Sequence, residues 1–280
     1  MEFIFDDRGL VIAESERTTL VIADLHLGFH VQLSEKSGAS FPSQHTSMLD
    51  RIRLLVEHHS VDSLYIIGDV KHTISVDRPF NWSIIPSFLT DVSSLVSTVI
   101  VPGNHDGDLT PLLPRSIEVT GVHGVIIGYG EESVGLVHGH AWPSEKVLSS
   151  RVLVIGHSHP SLLRLKVVHA PGVDRPNRKR YGGTVPVVLR SRFSRDCVCG
   201  HIGTKSSDVD AGQLVTLPSF NQIISGIPIN KQAVELPGVF FQSDCVSFQN
   251  SDVISTDGVH LGTVDALQER YTEKTTQRND

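Results

Sequence analysis

Five short hydrophobic runs in this sequence end in residues that bind cations. Asp24-Leu25-His26 follows the run 19–23, Gly68-Asp69 follows 64–67, and Gly103-Asn104-His105-Asp106 follows 98–101. His138-Gly139-His140 follows 135–137, and Gly156-His157-Ser158-His159 follows 152–155. Carboxylate, amide and imidazole donors together suit Mn²⁺, Fe or Zn²⁺ better than Ca²⁺. The absence of cysteine from the set argues against a purely structural zinc site. Each ending alone is weak, since a lone histidine is more often a hydrogen-bonded structural residue than a ligand. Five in one chain are harder to dismiss, because grouping so many ionisable side chains without a compensating cation is costly. Residues i and i+2 of an extended segment point to one side. Asp24 with His26, and His157 with His159, are therefore each expected to present two ligands together.

The elements that must position these residues are strands. The runs are β-branched and continuous rather than alternating, the pattern of strands covered on both faces. Glycine beside the polar residue lets the backbone turn and lets a ligand approach. In an α/β sheet the C-terminal strand ends face one crevice, where ligands bind. Between the first two runs, Met48, Leu49, Ile52, Leu55 and Val56 recur at helical spacing and predict an amphipathic helix within 42–60. A second helix is expected within 82–95, with Pro86 marking its start or a kink. This alternation predicts an α/β fold with at least partly parallel strands. Further strands are expected at 185–189 and 214–217. Residues 1–265 read as a single domain, and 266–280 as a polar, frayed tail.

Composition bounds the function. The 280 residues are 39% hydrophobic and 20% charged, ample for a core, and the net charge of -7 argues against nonspecific coating of nucleic acid. A local basic region remains: 164–205 is rich in Arg and Lys, 175–183 reads as an exposed loop or hairpin tip, and the stretch 164–195 is a candidate for binding a nucleic-acid backbone. Three cysteines form no disulfide framework, and Cys197-Val198-Cys199-Gly200-His201 lacks the spacing and partner pair of a metal site. The opening residues lack the features of a secretory signal, and no apolar run reaches membrane-spanning length, so a cytoplasmic protein is expected.

The ordered set DLH, GD, GNHD, HG and GHSH, over roughly residues 19–160, resembles the calcineurin-like metallophosphoesterase superfamily. Within it, DLHLGF, IIGDVKH, VPGNHD and LPSFNQIISG are similar to the small phosphoesterases related to SbcD-type repair nucleases. The resemblance implies a four-layer αββα sandwich of two mixed β-sheets flanked by helices. It also implies two divalent ions, Mn²⁺ foremost with Fe or Zn²⁺ as alternatives. One would be held by Asp24, His26, Asp69 and His159, the other by Asp69, Asn104, His138 and His157, with Asp69 shared. Such a pair activates water and clamps phosphoryl oxygens. His105 is the candidate general acid for the leaving alkoxide, with Asp106 orienting its imidazole. Lys71 and His72 stand where relatives often carry another aspartate or Asp-Arg-Gly; they are candidates for contact with substrate phosphate, and His140 for a supporting role in the substrate site. Without Asp-Arg-Gly or Gly-Asn-His-Glu, a phosphoprotein substrate is not expected. The expected partner is a phosphate ester, with phosphodiesters of DNA or RNA as the leading class. A nucleotide or small-molecule esterase, and a non-catalytic metal-binding scaffold, remain as alternatives.

Overall fold

The structure, a computed structural model, describes residues 1–76, 78–167, 179–204 and 212–276. Among these residues six strands form one mixed sheet in the order β1-β2-β3-β4-β5-β6. They are β1 (Glu2–Asp6), β2 (Gly9–Ala13), β3 (Thr18–Ala23), β4 (Ser63–Ile67), β5 (Ser97–Val101) and β6 (Glu118–Val119). From β3 onward all neighbours are parallel, while β1-β2-β3 is antiparallel. The second sheet is built from β7 (Val125–Ile127), β8 (Val134–Leu136), β9 (Val152–Ile155), β10 (Pro160–Val167), β11 (Lys179–Phe193), β12 (Gly212–Thr216), β13 (Ile227–Pro228), β14 (Asp252–Ser255) and β15 (His260–Thr263). Its central strands β8, β9 and β12 are parallel, β11 runs antiparallel to β12, and β10 antiparallel to β11.

The layers can be read from the burial of alternate residues. On β3, Leu20 and Ile22 face Met48 and Ile52 of α2 (His45–His59) and Phe88 and Leu89 of α3 (Pro79–Leu95); α1 (Phe29–Ser37) lies between β3 and α2 in the chain. Val21 and Ala23 face the other way, into a core shared with Leu136, Val154, Val188 and Val215 of the second sheet. The far side of the second sheet packs Leu153, Ile155 and Leu214 on α4 (Glu145–Leu148), α5 (Arg195–Ile202) and α6 (Val239–Gln242). Helix α7 (Val264–Thr276) closes a smaller cluster with Val187, Val253 and Ile229. The result is the expected αββα sandwich. Strands buried on both faces explain the unbroken hydrophobic runs.

Three expectations are corrected. Helix α3 begins at Pro79, earlier than 82, and Pro86 lies inside it. Proline at the first helical turn needs no donor, which makes Pro79 the natural start. Residues 266–276 are not a frayed tail but most of α7: Val264 and Gln268 are buried, and Gln268 Nε2 donates to Ile229 O at 2.9 Å. Cys197 and Cys245 form a disulfide, which the odd cysteine count did not suggest. The strand expected at 185–189 is the middle of the longer β11. Of the basic region, 168–178 and 205–211 lie outside the described residues, the first four residues of the loop read at 175–183 among them, while 179–183 open strand β11. Of the basic residues that are described, Arg190 pairs with Asp252, and Arg195 is buried with its guanidinium on Leu148 O and Ser150 O.

Candidate metal centre

The parallel strands β3, β4, β5, β8 and β9 all end at one edge of the sandwich, and the loops beyond them are laced together by their backbones. Asp24 N–H donates to Gly68 O (3.1 Å), His26 N–H to Asp69 O (2.7 Å) and Leu27 N–H to Val70 O (2.9 Å). The loop carrying Asp24 and His26 thus runs alongside the loop carrying Asp69. The segment after β12 seals it from the other side. Ser219 Oγ donates to Asp24 O (2.7 Å), Asn221 Nδ2 to Leu25 O (2.9 Å), and Phe220 N–H to Ala23 O (2.8 Å). Arg51 and Arg8 in turn bind the carbonyls of Phe220, Ser219 and Asn221.

The backbone here is not extended. Asp24 (φ 58°), His26 (41°), Asp69 (51°), His157 (66°) and His159 (42°) all lie in the left-handed region. Non-glycine residues adopt it uncommonly, Asp and His more readily than most, and five in one site persist because surrounding contacts hold them. Asp24 and His26 do bring their donors together, by this turn geometry rather than by strand alternation, whereas His157 and His159 fall in separate donor groups. Glycine makes the close approach possible: a β-carbon on Gly103 would lie 2.2 Å from Asp69 Oδ1.

Each carboxylate has one oxygen held by a backbone amide and the other turned to the histidines. Asp24 Oδ2 accepts from His157 N–H (2.9 Å), while Oδ1 lies 3.3 Å from His159 Nε2 and 3.7 Å from His138 Nδ1. Asp69 Oδ1 accepts from His105 N–H (2.9 Å), while Oδ2 lies 3.6 Å from His26 Nε2 and 3.5 Å from His138 Nε2. Donor atoms of Asp24, His26 and His159 fall within 4.8 Å of one another, as do those of Asp69, His138 and His157. Asn104 Oδ1 is 3.2 Å from His138 Nε2. All seven residues singled out as ligands are therefore brought together. Asp24 Oδ1 and His159 Nε2 are buried with no aligned hydrogen-bond partner, although each is beside the other. Buried polar atoms left this way are exceptional, and convergent donors with unspent lone pairs fit a cation.

Electrostatics agrees. Burial works to raise Asp24, but His159 and His138 hold it below the usual carboxylate range. Asp69 is likewise lowered: its hydrogen bond and charge interaction with His138 outweigh burial. Burial opposes charge on His138, yet Asp69 and Asp24 lift it to about 9. Burial pushes His26 down to about 3 and His157 to about 4. Both acids are ionised at neutral pH and His26 and His157 are neutral, as ligands must be, while His138 keeps a proton that an ion would have to displace.

The other singled-out residues have varied placements. His105 stands at the rim with Nε2 4.0 Å from Asp69 Oδ2, and its Nδ1 contacts His72 O. Asp106 does not orient that imidazole; its carboxylate accepts from Gly103 N–H (2.9 Å) and Lys71 N–H (3.3 Å), bracing the loop, and the His72 carbonyl holds the ring instead. Lys71 is wholly buried, and its ammonium bonds to the carbonyls of Thr73, Ile74 and His105. It ties the loop after β4 to the loop after β5. His72 lines the site, its ring 5.3 Å from His26 and stacked 5.6 Å from His105; burial pushes it to about 4. The His140 ring lies 5.1 Å from His138. Residues not singled out as site residues also line the mouth. A cavity of about 460 Å³ runs from His26, His72, His105 and His159 to an apolar wall of Phe29, Leu33, Ile223 and Ile224. Phe29 and Leu33 belong to α1, whose apolar residues are too few and too short a run to announce a helix.

A family model described as calcineurin-like phosphoesterase matches residues 17–204. Among solved structures, the chain is similar to the nuclease MPE of Pseudomonas putida (18% identity, TM-score 0.47, covering 84% of this chain and 94% of that one). It is also similar to a protein of unknown function from Aquifex aeolicus (19%, TM-score 0.35, 50% and 78%) and to an archaeal phosphodiesterase (14%, TM-score 0.30, 55% and 79%). No curated protein matches the chain.

Proposed function

The chain belongs to the calcineurin-like phosphoesterase family, and from that premise we propose that it is a two-metal hydrolase of phosphodiesters. Asp24, His26, Asp69 and His159 hold one divalent ion, and Asp69, Asn104, His138 and His157 the other. The observation that carries this reading is the convergence of these seven side chains, five of them on left-handed backbone, around the unspent donors Asp24 Oδ1 and His159 Nε2. When bound, the ion pair supplies Lewis acidity and a water of lowered pKa.

The chain's own groups supply the rest. His105 sits at the mouth of the pocket, where its Nε2 can deliver a proton to the departing ester oxygen while the His72 carbonyl holds Nδ1. His72 and His140 flank the metal ligands and help orient the phosphate. Lys71 serves the site by positioning His105, since its ammonium is spent on three carbonyls. The described lining of the mouth contains no Arg or Lys. A monoester dianion would call for such a cation, whereas a diester monoanion does not, and the apolar wall suits the organic group beyond the ester oxygen. Mn²⁺ is the favoured ion on the mixed N/O donors, and DNA or RNA the favoured source of the diester.

Mn²⁺-loaded protein should therefore hydrolyse bis-p-nitrophenyl phosphate faster than p-nitrophenyl phosphate, and should cut oligonucleotides. His105→Ala should keep both ions and lose roughly 100-fold or more in diesterase turnover. Full metal occupancy with no turnover of any ester would leave a metal-binding scaffold, and turnover confined to nucleotides would remove nucleic acid as substrate.

A further inference from the structure

A second set of metal donors lies outside the site just described. One Sγ each from Cys197 and Cys245 and an imidazole nitrogen of His201 fall within 4.8 Å of one another. Cys197 and His201 are four residues apart on α5, the spacing that puts two side chains on one helix face. Cys245 arrives from the segment after α6 and is joined to Cys197 as a disulfide, with Cα atoms 5.5 Å apart.

The frame around these residues does not depend on the disulfide. Ser194 N–H donates to Cys245 O (2.9 Å), Ser247 N–H donates to Arg192 O (3.1 Å), and Phe193 and Val246 form a β-bridge. Ser194 also caps α5, its Oγ accepting from Cys197 N–H at 3.2 Å. Phe240, just before Cys245, packs edge-on against Phe193 and Trp142. The Trp142 ring lies flat on the His201 imidazole, 5.0 Å away and within 17° of parallel, which fixes its orientation. His201 is exposed and Cys197 half-buried, so an ion can enter. Cys199, by contrast, is buried in the core and stands apart from the donor set. Two thiolates on a tetrahedral ion sit about 3.8 Å apart, a separation that small side-chain rotations provide across this span.

We propose that Cys197, His201 and Cys245, once reduced, bind one thiophilic divalent cation of the Zn²⁺ class, so that the disulfide and the ion are alternative occupants of one site. In the exchange, a dithiol gives two electrons and two protons to the Cys197–Cys245 bond and becomes a disulfide itself. The ion then displaces both thiol protons and takes the neutral imidazole nitrogen, with a fourth position open to water. Two soft thiolates separate this site from the N/O donors of the dinuclear centre, which favour harder ions. The inference stands independently of the phosphoesterase reading.

Co²⁺ titration of the reduced protein, freed of reductant without air, tests this through the thiolate-to-cobalt charge-transfer band, which the dinuclear donors cannot produce. The reduced protein should bind one more equivalent than the oxidised protein and show the band, while the oxidised protein shows none. Cys245→Ser should lose both the band and the extra equivalent, and Cys199→Ser should keep them. Cys197→Ser serves the same purpose as Cys245→Ser should the latter fail to fold. The proposal is overturned by reduced protein without the band, by a band that survives in Cys245→Ser or Cys197→Ser, by its loss in Cys199→Ser, or by a disulfide that resists reduction in the folded protein.

Discussion

Gly68 offers a sharp test of how the backbone sets this site. It sits at φ +85° between β4 and Asp69, and a β-carbon there would come within 2.0 Å of His138 Nδ1 and 2.3 Å of its Cγ. Gly68→Ala therefore forces the imidazole back by about 1.4 Å to regain ordinary contact. His138 has no free path, being fully buried with Nδ1 on Ile67 O at 3.1 Å and Nε2 against Asn104 and Asp69. Left-handed alanine costs about 1–2 kcal/mol and overpacking about 1–3 kcal/mol, so the protein should fold with a melting point lowered by roughly 5–15 °C. Displacing a ligand by this much should cost on the order of 100-fold in turnover, with weaker metal binding. Gly38→Ala is the matched control: it has a similar φ of +68° but nothing within 4 Å of the added carbon. It should lose only about 1 kcal/mol and no activity. Melting curves and Mn²⁺ titrations of bis-p-nitrophenyl phosphate hydrolysis distinguish the two. Wild-type turnover and metal affinity in Gly68→Ala, or equal inactivation in Gly38→Ala, would refute the reasoning.

Three further outcomes follow from the same geometry. Lys71→Met removes the ammonium that joins Thr73, Ile74 and His105 carbonyls and should destabilise the fold by about 3 kcal/mol or more; turnover should fall with KM little changed, whereas a raised KM alone would mark Lys71 as a phosphate contact. Asn221→Leu leaves the Leu25 carbonyl without its 2.9 Å donor, at about 1–3 kcal/mol; metal affinity, read by calorimetry, should weaken even though Asn221 is no ligand, and unchanged affinity would deny the strap its role. The raised His138, near 9, and raised His159 set the sign of the pH response. In metal-free protein the charged form of His138 adds stability fully present below about pH 6.5 and lost as pH rises through about 9, and His159 acts in the same direction. Because an ion needs neutral imidazole, metal affinity should instead climb with pH over that window, with protons released on binding. Calorimetry in two buffers of different ionisation enthalpy measures the protons, and none released at pH 7 would contradict the assignment.

The sandwich and its ligands were legible because burial on both faces forces continuous hydrophobic runs, and because Asp, Asn and His at their ends stand out against them. The periodicity of Met48, Ile52 and Leu55 was equally plain. What could not be read was contact between distant segments. Asp106 adjoins His105 in the chain but turns to Gly103 and Lys71, while His72 O takes the imidazole; adjacency says nothing of which way a turn aims its side chains. Lys71 looked like a phosphate ligand by type, and its burial among three carbonyls depends on a loop fold that has no sequence period. Ser219 and Asn221 lie in the LPSFNQIISG segment, whose resemblance marks a strand and turn but gives these two residues no role; their contacts with Asp24 O and Leu25 O depend on the fold. Cys245, 48 residues from Cys197, was out of reach of any local spacing. Helix α7 was missed because Val264, Leu267 and Gln268 bury one narrow stripe on an otherwise polar helix.

Two ions sharing Asp69 is what makes this site a dinuclear centre. Crystals grown with Mn²⁺ and measured at the manganese absorption edge test it most directly. Two anomalous peaks should flank the Asp69 carboxylate, one against Asp24, His26 and His159 and one against Asn104, His138 and His157, and both should be lost in Asp69→Ala. A single peak, or peaks that survive without that carboxylate, would contradict it.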